Sequence, residues 1–218
     1  MVSEQPGDST GEHALEIEWP GPEPDATQLR ERMASELPVP MLEHTDRVVR
    51  VARELATLHG LSVARVTLAA QGHDLVRAVE PSELLRRAEG RSMLILPIEY
   101  EHPVLLHGPI GALELAERFA VSDPEILAAI YWHTTGHPRY PHWAWAMFIA
   151  DKIEPMKTTA WPALERVAAI ARRPHSSSLR DAATTYLRLS LARQRDHSET
   201  LHPLAEETLE HLESVSSL

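Results

Sequence analysis

The chain has 218 residues, a formal net charge of -11, 43% hydrophobic residues and no cysteine. That length suits one domain with an ordinary core, and the missing cysteines exclude a disulfide framework and a thiolate metal site. An acidic chain without a basic stripe argues against binding duplex nucleic acid, and the longest apolar run, "WAWAMFIA" (Trp143 to Ala150), is far too short to span a membrane. Residues 1–28 hold seven acids and no Lys or Arg, which leaves 25 acids against 21 bases in the rest. Residues 1–24 are rich in Pro, Gly and acids and are expected to form an extension with little regular structure, save a short strand over "HALEIEW". The opening "MVSEQPGDST" has neither a basic region nor an apolar stretch, so no signal peptide is expected and the location is taken as cytoplasmic. A single domain is expected over 25–218.

From residue 25 onward the signals are helical. "DATQLRERMASEL" suits a helix capped by Asp25. "PMLEHTDRVVRVARELATLHG" starts on a proline and stops at Gly60. Helices follow over "LSVARVTLAAQGHD" and "EPSELLRRAEG", and "MLILPIEYEHPVLL" reads as an extended connection. "GPIGALELAERFA" and "DPEILAAIYWHT" carry Pro near the first helical position, and "PHWAWAMFIADKIE" should end before Pro155. Three more helices are expected near 160–173, 178–195 and 203–214. No alternating strand pattern and no internal repeat interrupts them, so the fold class is all-α.

Several of these helices carry polar residues on apolar faces. His44 lies four residues before Val48 in the stripe Val48, Val51, Ala52, Leu55. His73 falls seven after Val66 and Asp74 four after Ala70. His133 is seven after Ile126, and Asp151 seven after Ala144. Helical periodicity points each of them inward. A lone inward histidine is usually a hydrogen-bonded core residue. Here four helices each bring a metal-ligand type to the end of a buried stripe. Burying several such groups is expensive unless a charge compensates them, and a divalent cation does so most directly.

A histidine, then a His-Asp pair, then a distant Asp, all on helices, resembles the HD superfamily of metal-dependent phosphohydrolases. "EHTDRV", "GHDLVRA", "HPVLLHGPIGA", "ILAAIYWHTTGHP" and "IADKIEP" together resemble its symmetrical diadenosine tetraphosphatases of the YqeK type. The likeness runs from about residue 25 to about 214. It implies an HD-domain helical bundle with a dinuclear metal site between helices, typically iron-bearing. It adds His107 and His133 to His44, His73, Asp74 and Asp151 as ligands. It implies a dinucleoside polyphosphate substrate, cleaved in the middle of its phosphate chain. Four features depart from the family pattern: Gln71 and Gly72 before the His-Asp pair, Met156 and Lys157 in "EPMK", the stretch "HPRYPHWAWAMF", and the acidic N-terminal extension.

An all nitrogen and oxygen ligand set suits iron, manganese or cobalt as two divalent or mixed-valence ions. Asp74 is the candidate bridge, because a carboxylate offers one oxygen to each ion. His44, His73 and Asp151 would complete one position, and His107 and His133 the other. Phosphoanhydride cleavage also needs cations for the phosphates. Lys152 follows Asp151, Arg47 lies one turn from His44, and Arg77 one turn from His73. Thr134, His137 and Arg139, in the turn after His133, could reach a phosphate, although loop residues of these types more often face solvent. Trp143 and Trp145 point to different sides of their helix and suit core packing. Competing readings with the same metal site are a phosphohydrolase of mononucleotides or other phosphate esters, and a nucleotide-binding module with weak turnover.

Overall fold

Caps and prolines set where the helices begin. In the structure, a computed structural model that describes residues 24–216, Asp25 caps α1 (Ala26–Met33) by accepting from Gln28 N, and the Gln28 side chain reaches back to the Asp25 backbone. Pro38 precedes α2 (Val39–Leu58), which stops ahead of Gly60 at φ +63. Ser62 caps α3 (Val63–Gly72), and α4 spans Pro81–Gly90. There follow α5 (Pro97–Glu101), a 3-10 turn (Pro103–Leu106), α6 (His107–Phe119) and α7 (Pro124–Tyr131), capped by Asp123. The remaining helices are α8 (His142–Ile153), α9 (Pro155–Ala160), α10 (Leu164–Ala171), α11 (Ser178–Asp196) and α12 (Pro203–Ser216). The described residues contain no strand, so the all-α expectation holds, and none of their helices is long and apolar enough to cross a membrane. The expected strand in 1–24 lies outside the described residues.

Several boundaries differ from the sequence reading. The connection over 93–106 contains α5 and the 3-10 turn. Pro97 presets the first helical φ there, and Glu99 Oε2 accepts from Leu96 N at 2.8 Å, so a short helix is satisfied locally. The third helix ends at Gly72 rather than Asp74, and α7 ends at Tyr131 rather than Thr134. The helix expected near 160–173 is shorter, α10 alone, and the unexpected α9 precedes it, with Trp161 and Pro162 between the two.

The chain builds its core around α8. From Trp143 to Ile153 every residue of that helix is buried, and a helix apolar on all sides belongs at the centre. It packs against α2, α3 and α11, while α3 also meets α1 and α7, and α6 lies against α7. Two glycines set how closely these helices meet. A Cβ at Gly72 would come within 2.8 Å of Leu115 Cδ1, and one at Gly108 within 2.7 Å of the Tyr131 backbone oxygen. Close approach at those points brings the ends of α3, α6 and α7 together beside the last turn of α8.

Candidate metal centre

Six side chains from five helices or their ends converge there. His44 comes from the second turn of α2, His73 from the cap of α3, and Asp74 from the turn that follows. His107 opens α6, His133 lies just past α7, and Asp151 sits in the last turn of α8. All but His44 are buried, and His44 is only partly exposed. The inward direction read from the apolar stripes is thus correct, although His73, Asp74 and His133 project from helix ends and turns.

Those ends explain how the imidazoles are aimed. The last carbonyls of a helix lack an intrahelical N–H partner. His73 Nδ1 takes Ala70 O at 2.8 Å and His133 Nδ1 takes Ile130 O at 2.7 Å. His107 Nδ1 takes Val104 O in the 3-10 turn, again three residues back. A carbonyl only accepts, so each Nδ1 carries the proton and donates it. Each Nε2 then presents a lone pair to the centre, as a metal-ligating imidazole requires. His44 is held differently: its Nδ1 lies 3.4 Å from Glu154 Oε1, and Arg47 Nε donates to Glu154 Oε2 at 2.8 Å.

Asp74 stands between two groups of nitrogens. Its Oδ2 is 3.6 Å from His44 Nε2 and 3.4 Å from His73 Nε2. Its Oδ1 is 3.2 Å from His107 Nε2 and 3.5 Å from His133 Nε2. Asp151 Oδ1 joins the first group, 3.3 Å from His44 Nε2 and 3.5 Å from His73 Nε2. Ligand atoms of His44, His73 and Asp151 all lie within 4.8 Å of one another, as do those of His73, Asp74 and His133. One carboxylate oxygen for each group is the arrangement a bridging ligand needs.

Two observations show that this donor set fits cations. His73 Nε2 is buried without a hydrogen-bond partner. His107 Nε2 and His133 Nε2 lie 2.9 Å apart, and with both Nδ1 protons committed to carbonyls their lone pairs face each other. That contact is repulsive unless a proton or a metal ion lies between them. The charges say the same. Burial opposes charge on His73, but Asp74 and Asp151 outweigh it and raise the imidazole to about 10. Burial also opposes the Asp74 carboxylate, yet the charge on His73 beside it holds it well below the usual range. His133 goes the other way: burial, with His107 and His73 nearby, lowers it to about 4 despite Asp74. A proton on His73 therefore balances the carboxylates when no metal does.

The expected phosphate cations are placed unequally. Lys152 is buried behind Asp151: its Nζ donates to Asp151 Oδ2 at 2.7 Å and to His133 O at 3.1 Å, and lies 5.1 Å from the Phe148 ring centroid. Arg47 acts on His44 through Glu154. Arg77 is exposed, one turn past Asp74, with its N–H on Asp74 O at 3.0 Å. Thr134 lines a 430 Å³ cavity with Tyr131, Trp132 and His202, whose walls include none of the six ligands. His137 stacks on Trp132 at 4.1 Å between centroids, and its Nδ1 accepts from Arg139 N at 3.0 Å. These three residues shape the turn and are not gathered with the ligands. Trp145 packs with Tyr140 and Phe148, as core packing requires. Two site residues were missed. Glu154 is buried at the α8–α9 junction, where only the proline after it hinted at a cap. Lys157 Nζ donates to Asp151 Oδ1 at 2.5 Å, and its sole signal was a departure in "EPMK".

The model of the HD domain family matches residues 41–156, a span that contains all six of these residues. The symmetrical bis(5'-nucleosyl)-tetraphosphatase of Halalkalibacterium halodurans is 32% identical over 130 residues, covering 60% of this chain and 68% of that protein. Its namesake from Bacillus subtilis is 31% identical over 128 residues, covering 59% and 67%. The crystal structure of a protein described as a predicted HD superfamily hydrolase involved in NAD metabolism, from Clostridium acetobutylicum, matches with a TM-score of 0.79. It covers 88% of this chain and 99% of its own at 20% identity, a likeness of fold.

Proposed function

The chain belongs to the HD domain family, and from that premise we propose that it hydrolyses dinucleoside tetraphosphates symmetrically, diadenosine tetraphosphate to two ADP. The two named tetraphosphatase relatives support the substrate. The observation that carries the chemistry is Asp74, with one oxygen toward His44 and His73 and the other toward His107 and His133.

When bound, two first-row ions, iron by the family resemblance and manganese or cobalt as alternatives, supply positive charge to the phosphate oxygens and activate water. The residues do the rest by position. Asp74 fixes the spacing of the two cation seats. The carbonyl-held imidazoles keep their Nε2 atoms aimed inward without reorganisation, which is where such sites gain most. Lys152 holds Asp151 by its outer oxygen, so that Oδ1 faces the centre. Glu154 orients His44, and Arg47 orients Glu154. Arg77, exposed beside the His-Asp turn, receives the phosphate chain. Holding one nucleoside diphosphate half in the site sets the attacked phosphorus as the second from that nucleoside, and the other half leaves as a diphosphate.

Diadenosine tetraphosphate supplied with iron, manganese or cobalt should give ADP alone at early times by chromatography, and nothing without metal. Equal ATP and AMP would reject symmetrical cleavage. Turnover of mononucleotides or simple phosphate esters, with none of the dinucleotide, would move the activity elsewhere in the family.

A further inference from the structure

Asp151 is held by two lysines, and the two are not equivalent. Lys152 takes Oδ2, the oxygen that faces away from the histidines, and its side chain is 9% exposed. It is fixed further by His133 O and by the Phe148 and Tyr186 rings. Lys157 takes Oδ1, the oxygen that His44 Nε2 and His73 Nε2 also face. Its side chain is 39% exposed and reaches in from α9. One ammonium is thus built into the core, while the other holds the carboxylate oxygen that a metal ion bound to His44, His73 and Asp151 would take.

We propose that Lys157 is a displaceable cation: it holds Asp151 Oδ1 until the metal takes that oxygen, and its released ammonium then turns to the phosphate chain of the substrate. The inference rests on reading the six residues as a metal centre. Two cations cannot share one carboxylate oxygen at contact distance without strong repulsion, and the dication, with two imidazoles to add, wins. Leaving is cheap for Lys157 because its stem already lies partly in water, so little is desolvated or exposed by the move. Lys152 has no such exit. Among the cations around this carboxylate, Arg47 is committed to Glu154 and Lys152 is buried, which leaves Lys157 to face an incoming anion at the rim. The same charge that competes with the first metal ion then favours the substrate.

Titration calorimetry of the metal-free full chain with manganese alone tests the first half. Lys157→Met should bind manganese ~5-fold more tightly or better, since an internal competitor is gone, and Lys157→Arg should stay near the parent. A merely structural lysine would leave the affinity unchanged or weaken it, and either result overturns the proposal. Pyrophosphate titrated into the manganese-loaded chain tests the second half: Lys157→Met should bind it ~5-fold more weakly or worse, and unchanged binding removes the phosphate role. A parent chain that takes up no manganese would instead sink the metal-centre reading itself, and this inference with it. Neither titration depends on the identity of the nucleotide substrate.

Discussion

At the scale of single residues, the centre depends on what each carboxylate oxygen touches. Asp74 serves both nitrogen groups, whereas His107 serves one. Asp74→Ala should therefore lose both metal ions and His107→Ala mainly one, read by elemental analysis of the purified variants. Full metal content in Asp74→Ala would show that it does not bridge. Lys152 is a different kind of residue. The expectation from its place beside Asp151 was an electrostatic contact to phosphate, but its ammonium is spent inside the protein on Asp151 Oδ2 and His133 O. Removing one partner of a buried ion pair costs about 3 kcal/mol or more. Lys152→Met should show a loss of that size in chemical denaturation, with weaker metal retention. A variant as stable as the parent, with only its rate reduced, would restore the phosphate contact.

At the scale of elements, the site is made where helices stop. The caps of α3, α6 and α7 are brought together by close helix contacts, and the glycines mark where those are tightest. At Gly108 an added Cβ would lie 2.7 Å from the Tyr131 backbone oxygen and 3.1 Å from His133 Nδ1, neither of which yields easily. Overpacking of this kind costs about 1–3 kcal/mol, and here it also pushes His107 from His133. Gly111 lies one turn along the same helix, and its nearest neighbour would be Val76 Cγ2 at 3.7 Å, an ordinary contact. Gly108→Ala should lose stability together with metal. Gly111→Ala should be neutral or more stable by up to about 1 kcal/mol, because alanine is the better helix former. Equal behaviour of the two variants in denaturation and metal analysis would mean that the α6–α7 contact does not set the site.

At the scale of the whole molecule, the centre couples charge to stability. Without metal, His73 is raised from about 6.5 in the unfolded chain to about 10 in the folded one. Its proton stabilises the fold fully below about pH 6.5, and that contribution is lost as the pH rises toward about 10. Asp74 and Asp151 are depressed, so their contribution is present above the ordinary carboxylate range and lost as the pH falls below it. The metal-free chain should therefore melt at progressively lower temperature from pH 7 to 9.5. The loaded chain should not share that decline, since the cation does the work of the proton. Parallel melting curves for the two forms would contradict this. The apolar stripes, caps and prolines by themselves determined the all-α class, the inward aim of His44, His73, Asp74, His133 and Asp151, and most helix boundaries, because helical periodicity and capping act within a few residues. Resemblance supplied His107, which opens its helix and continues no stripe. What only the tertiary structure decided is which atoms meet: the split of Asp74 between two histidine groups, the carbonyl-held imidazoles, Glu154 behind His44, and the different positions of Lys152 and Lys157. The Asp74 split and the Glu154 contact join residues far apart in the chain, where spacing along the sequence carries no information about distance. The imidazole and lysine contacts are short in sequence but depend on where each helix stops and which oxygen of Asp151 the packing turns toward the histidines.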